Sequence, residues 1–247
     1  MKNNLWAQQV YEYEINYLRD FLDKNHKDYY IIGVSGGIDS ALTLKMLVNA
    51  VGPQKVKAYY LPIEFQNKFE EISKLEECCG VHIDTVDLTQ LWTMITDELE
   101  IQNANNISNQ KPKIRSLFLS AQAFECNGVV VGNVNYDEYY LGYFTKTGDG
   151  SADIFPLINL LKSDIYDLSS SLGIHKDIIN QTPSADLIIG QSDEKEIGVH
   201  YPVIDSYLRH ESVNLNAEVI IQQWHNKNRH KHVLNHWLLE NFPYKRD

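Results

Sequence analysis

The chain has 247 residues, 43% of them hydrophobic and 22% charged, the balance of a folded globular protein with a sizeable core rather than a disordered one. Its 22 basic and 33 acidic side chains leave a formal charge of −11, which excludes a broad basic face for sequence-blind nucleic-acid binding. No apolar run approaches the about 20 residues of a membrane-spanning helix, the amino terminus lacks an apolar signal core, and Cys78, Cys79 and Cys126 fit neither a disulfide framework nor a zinc spacing, so a reducing cytoplasm is expected.

Trp6, Val10, Tyr13, Tyr17 and Phe21 recur at helical spacing and predict an amphipathic amino-terminal helix. Tyr29 to Val34 reads as a buried strand, and Ser35-Gly36-Gly37-Ile38-Asp39-Ser40 links it to a helix over Ala41 to Val51. Then come a strand from Lys55 to Leu61, a helix from Asn67 to Cys79, a strand from Val81 to Val86 and a helix from Leu88 to about Gln102. The polar run Asn103 to Lys113 is expected to be irregular, followed by a helix from Ile114 to Cys126 and a strand from Gly128 to Gly132. Past it, residues 142–153 and 182–198 read as loops and candidate lids, Leu160 to Leu172 as a helix, and two or three helices close the chain. Alternating strands and helices predict βαβ units: an α/β, doubly wound parallel sheet with helices on both faces, in a single domain over residues 1–247.

A loop between a strand and a helix turns free main-chain N–H groups toward an anion. Adjacent Gly36 and Gly37 let the backbone approach closely, and Ser35 and Ser40 add hydroxyls. A plain tight turn with a helix cap is the bland alternative; the six residues together favour phosphate binding. The lysine of a Walker loop is missing and Asp39 stands instead, a carboxylate tolerable beside polyphosphate when a divalent cation lies between. The dinucleotide fingerprint G-x-G-x-x-G is also absent.

This loop resembles that of the N-type ATP pyrophosphatases, which split ATP to AMP and pyrophosphate while adenylylating a substrate oxygen, on an adenine nucleotide alpha hydrolase-like fold. The order SGGIDS, NQKPKIR (Asn109 to Arg115), EYYLGYFTKTGDG (Glu138 to Gly150), PSADL (Pro183 to Leu187) and QSDEKEIG (Gln191 to Gly198) is similar to the ammonia-dependent NAD synthetase family. The resemblance implies an ATP loop over Gly33, Val34, Ser35, Gly36, Gly37, Ile38, Asp39 and Ser40, with Asn133 (usually threonine), Lys162 and Ser184 also at the ATP. It implies Mg²⁺ on Asp39 and Glu138, and a nicotinate nucleotide held by Lys113, Lys146, Asp153, His230 and Lys231. The His-Lys match is the looser one, because His232 and Leu234 replace the family's arginine and proline in a histidine-rich tail with His225 and His236. The implied reaction amidates the nicotinate carboxylate of deamido-NAD with ammonia through an acyl adenylate. Asp39, Lys162 and Asp153 are the expected catalytic residues, with Asp153 or a phosphate oxygen as base. Lys113, Arg115, Lys146, Lys162 and Lys231 are the cations expected to form a local positive pocket. The resemblance also implies a homodimer.

About 30 residues precede the loop, too few for a glutaminase domain of on the order of 100 residues, so free ammonia or a separate subunit is the expected nitrogen source. Lys113 replaces a usual arginine and cannot make its two-pronged contact; Pro112, Thr147 and the cluster Tyr136, Tyr139 and Tyr140 also depart from the pattern. These departures keep nicotinate mononucleotide open as the substrate, giving NMN. Another adenylylating ATP pyrophosphatase and a nucleotide-binding module without turnover also stay open.

Overall fold

The computed structural model describes residues 2–64, 67–184, 187 and 190–232. Leu234 and His236 of the tail, and Ala185 and Asp186 of the PSADL motif, lie outside the described residues. The first element, α1 (Lys2–Lys24), is the amphipathic helix of the periodicity, with Ala7, Val10, Leu18 and Leu22 buried. Then follow β1 (Tyr29–Val34), α2 (Ile38–Val51), β2 (Val56–Tyr60), α3 (Phe69–Cys79), β3 (Ile83–Thr85), α4 (Thr89–Glu98), α5 (Ala104–Glu125) and β4 (Gly128–Val131). The four strands are parallel in the order β3-β2-β1-β4, with Tyr30 opposite Val56 on one side and Tyr29 opposite Gly128 on the other. A parallel bridge from Val131 to Ile154 prolongs the β4 edge.

Side chains alternate across the sheet, as the two-residue period of a strand requires. Tyr30, Ile32 and Val34 enter the core formed with α1, α2, α3 and α7 (Lys162–Ser171), while Ile31 joins Tyr59, Leu61, Ile114 and Leu119 on the α4–α5 face. The chain winds outward from β1 to β3 and then returns to the other side of β1. The strand order therefore reverses between β1 and β4, where a doubly wound sheet opens a crevice at its carboxyl edge.

Three elements differ from the sequence expectation. The polar run before Ile114 is helical: α5 starts at Ala104, capped by the Asn103 side chain on the N–H of Asn106, and passes through Pro112. Gln110, Lys111 and Pro112 are buried, so tertiary packing outweighs a low propensity and a missing donor. A short α6 (Tyr136–Leu141) also lies where the sequence pattern assigned no element; Asn135 caps it and Glu138 reaches back in a capping box. Beyond α7 lie α8 (Lys176–Ile179), α9 (Asp193–Ile197), α10 (Tyr201–Leu208) and α11 (Leu215–Asn228), so α9 interrupts the loop expected over 182–198. Leu141, Ile197, Tyr201, Ile204 and Ile221 form a third apolar cluster, and α10 packs on α7 and α11 on α6, so the closing helices extend the same domain.

Ile32 is fully buried at the centre of β1. Ile32→Ala is expected to lower unfolding free energy by about 3 kcal/mol through lost transfer and a residual cavity. Urea unfolding checks this; a change below about 1 kcal/mol contradicts the assigned core position.

Candidate active site

The carboxyl ends of β1 and β4 open into a cavity of about 420 Å³. One wall is the loop at residues 35–37, shorter than read because α2 already begins at Ile38 with Gly37 as its cap. Gly36 turns the crest at φ +81°, a left-handed conformation that favours glycine. Ser40 staples the loop: its hydroxyl accepts from the Ser35 N–H at 3.1 Å and donates to the Gly37 carbonyl at 3.0 Å. Ser40 thus shapes the cradle as well as lining it, and the Gly37 N–H is held by Ser35 Oγ at 3.2 Å.

Asp39, in the first turn of α2, is the junction of the site. Its Oδ2 accepts from Lys162 Nζ at 2.5 Å and its Oδ1 from Asn135 Nδ2 at 2.9 Å. Lys162 is 2% exposed, and its ammonium also lies 5.0 Å above the ring of buried Tyr201. Burial alone would depress the lysine, but the carboxylates of Asp39 and Glu138 outweigh it and hold the ammonium above the usual lysine range. Asn135 is completely buried; its Oδ1 accepts from the Glu138 N–H at 2.9 Å while Glu138 Oε2 accepts from the Asn135 N–H at 3.3 Å. That box spends Oε2 and leaves Oε1 out of it. Burial, and then the charge of Asp39, push Glu138 well above the usual carboxylate range.

Under Lys162 lie two buried acids that sequence reasoning missed. Asp137 Oδ2 accepts from the Lys162 N–H at 2.8 Å, and Asp205 Oδ2 from the Ser163 N–H at 3.0 Å, so carboxylates from α6 and α10 cap α7. The two carboxyls interact with each other, and among the described residues no other donor reaches the second, buried oxygen of either. Burial, and then neighbouring Asp205, hold Asp137 well above its usual range.

The structure brings Gly33, Val34, Ser35, Gly37, Ile38, Asp39, Ser40, Asn133, Glu138, Lys162, Ser184 and Lys231 into one cavity, with Arg115. Gly36 turns its outer side to α3 instead. Asn133 donates to the Gly33 carbonyl at 2.9 Å, tying β4 to β1. Lys231 Nζ donates to the Gly142 and Phe144 carbonyls, both at 2.8 Å, and anchors the tail over the 142–145 segment. Lys113, Lys146, Asp153 and His230 stand outside this lining. Lys146 donates to the His230 carbonyl at 2.9 Å, and Asp153 Oδ2 accepts from the Val130 N–H at 2.7 Å, a contact that extends the β4 edge. The sequence reading also passed over Lys68, Gln181, Asp193 and Glu196 on the cavity wall. Asn135 and Glu138 did carry a signal, the Asn-x-x-Glu capping box.

The NAD synthase family profile matches residues 10–247. The chain belongs to the NAD synthase family. It is 35% identical over 235 residues to the NH(3)-dependent NAD(+) synthetase of Mycoplasmopsis pulmonis, covering 94% of this chain and 91% of that one. It is 39% identical over 181 residues to the enzyme of that name from Picrophilus torridus, covering 72% and 73%. The structure of NMN synthetase from Francisella tularensis superposes with TM-score 0.86 at 33% identity, over 94% of this chain and 98% of that one. Among the described residues of this NAD synthase family member, no helix is long and apolar enough to cross a membrane.

The Asp137 shift has a stability sign. A carboxyl whose folded pKa is raised binds its proton more tightly than in the unfolded chain, so it favours folding below the ordinary aspartate range and loses that contribution as pH rises. Asp137→Asn keeps an acceptor for the Lys162 N–H and supplies a donor toward Asp205. Thermal melts at pH 5 and pH 8 are expected to show a smaller loss of Tm with rising pH in the variant. Identical pH slopes in both proteins contradict this assignment.

Proposed function

We propose that this chain amidates the nicotinate carboxylate of deamido-NAD with ammonia, at the expense of ATP, through an acyl adenylate, giving NAD, AMP and pyrophosphate. The carrying observation is the Asp39–Lys162 contact at the mouth of the glycine-rich loop, in a cavity at the reversal point of the sheet of an NAD synthase family chain. A carboxylate does not release oxide to ammonia; attack of its oxygen on the α-phosphorus makes AMP the leaving group and expels pyrophosphate. Such a transition state spreads charge over phosphate oxygens, and catalysis is mainly positioning and neutralisation.

The residues divide that work. The loop around Ser35 to Ser40 cradles the departing pyrophosphate, and Lys162 supplies a fixed ammonium whose protonation its two acidic neighbours secure. Asp39 and Glu138 fit a magnesium ion: they are hard oxygen donors on one cavity wall, and burial together with the charge of Asp39 disfavours the charged form of Glu138, which a divalent cation would offset. Asp39 and Glu138 would hold the ion, which when bound would supply positive charge to the polyphosphate. Asp153 is engaged with the β4 edge outside the cavity lining, which supports a phosphate oxygen of the departing AMP as acceptor of the ammonia proton. Segments 142–145 and 181–184 rim the cavity and are placed to shield the acyl adenylate from water. A homodimer is supported by the apolar side chains that α4 and α5 leave in solvent, among them Met94, Leu117 and Phe124.

A second reading, the same chemistry on nicotinate mononucleotide, is supported by the 33% identity to the Francisella tularensis NMN synthetase and by Lys113 standing outside the cavity. Comparison of kcat/KM for the two acids decides: deamido-NAD is expected to be preferred by at least about tenfold, and the opposite preference establishes the second reading. Asp39→Asn and Lys162→Met are each expected to lower kcat by at least about 100-fold with the fold retained. Near-normal turnover in either variant, followed as AMP release dependent on the acid, removes that residue from the chemistry.

A further inference from the structure

Cys78 and Cys79 take no part in the proposed reaction and stand together at the end of α3. Cys79 is buried in the core and Cys78 is half-buried, with their sulfurs 3.8 Å apart. The pair is asymmetric. Cys79 donates its S–H to Cys78, and that bond together with burial holds the Cys79 thiol well above the usual range. Cys78 receives that bond, a main-chain hydrogen bond from His175 at the start of α8, and the field of the Lys45 ammonium. Lys45 reaches over from α2 and donates to the Cys78 carbonyl at 2.6 Å. Together these outweigh burial and draw the Cys78 thiol down to about 6. Its own contact as a donor, to the Leu75 carbonyl, is long at 3.6 Å. Cys126, also half-buried, differs: its S–H goes to the Gln122 carbonyl at 3.1 Å.

Cys78 lies on the seam between α3 and α8. One turn earlier, Lys74 Nζ pairs with Asp177 Oδ2 at 2.6 Å, and farther along Glu71 Oε1 accepts from Gln181 Nε2 at 3.5 Å. Gln181, Thr182, Pro183 and Ser184 then line the cavity, so the seam runs from the cysteine to the cavity wall. Beside the thiol there is room, because a side chain built on Gly80 would meet no described atom within 4 Å. A group attached to Cys78 has that space at the end of α3 but presses on the His175 main chain, which the bare sulfur now contacts. We propose that Cys78 is a modification site whose thiolate exchanges with low-molecular-weight disulfides, the adduct loosening the α3–α8 seam and the cavity wall at 181–184. The Cys78 sulfur attacks one sulfur of the disulfide. A mixed disulfide forms as the original S–S bond breaks, Cys78 is oxidised, and the other half leaves as a reduced thiolate. Cys79 keeps its proton and its place in the core. A free thiol reverses the step, as befits a reducing compartment. The inference stands independently of which acid is amidated.

The full chain treated with glutathione disulfide, digested without reductant and mapped by mass spectrometry tests the site. Cys78 is expected to take up the glutathionyl group at least about tenfold faster than Cys126, an internal control also half-buried, and to lose it to dithiothreitol. Hydrogen exchange over residues 175–184 is expected to quicken by at least about twofold in the modified chain relative to the reduced one, with β1 unchanged. Cys78→Ser under the same treatment is expected to exchange like the reduced wild type. Uptake at Cys126 or Cys79 as fast as at Cys78 overturns the proposal. So does a Cys78 adduct that leaves exchange over 175–184 unchanged, or the same quickening in treated Cys78→Ser.

Discussion

A charged amine that is almost fully buried must be paired, and in this chain the pairing organises the site. Lys162 has left water for the interior, and its solvation is replaced by the Asp39 carboxylate and the face of Tyr201. Asp39 in turn is oriented by Asn135, whose other amide atom caps α6 and so fixes Glu138. Three helices from distant parts of the chain, α2, α6 and α7, therefore meet at one cluster of charge-assisted bonds. Removing one member leaves the others with unpaired polarity in a low-dielectric place, which is how a small cluster enforces geometry.

The rest of the architecture supplies what this cluster needs. The reversal of strand order between β1 and β4 opens the crevice, and the stapled loop at residues 35–37 turns the start of α2 toward it. Two buried acids from α6 and α10 cap α7, the helix that begins with Lys162. In a chain of net charge −11, anionic substrates are met by local fields rather than by overall charge. Lys68, Arg115, Lys162 and Lys231 supply that field, each from a different element around the cavity.

How much of this was readable from the sequence depended on the kind of signal. The strand–loop–helix of β1 and α2 was legible because apolar runs, paired glycines and a capped helix start are local properties. The first half of α5 was not, since Asn103 to Lys113 is polar and contains a proline; only the packing of Gln110, Lys111 and Pro112 explains its helicity. Helix α6 spans Tyr136–Leu141, too short for periodicity, though its capping box stood in the sequence. Asn135, Asp137 and Asp205 were missed because pattern reasoning assigns polar residues to solvent, and nothing local says that two carboxylates will cap a helix from elsewhere. The family resemblance pointed to Lys162 and Glu138, and both line the cavity. It could not say which way Lys113, Lys146 and Asp153 face, because motif membership fixes position along the chain and not side-chain direction.

The central claim is that the cluster around Asp39 and Lys162 holds ATP for transfer of its adenylyl group to a carboxylate oxygen. Transfer of ¹⁸O from a substrate labelled in its nicotinate carboxylate tests this most directly. The account predicts one ¹⁸O in the phosphate of AMP and none in pyrophosphate, because the oxygen that attacks phosphorus leaves with AMP when ammonia takes its place. Unlabelled AMP, or label in inorganic phosphate with ADP as the nucleotide product, would contradict it.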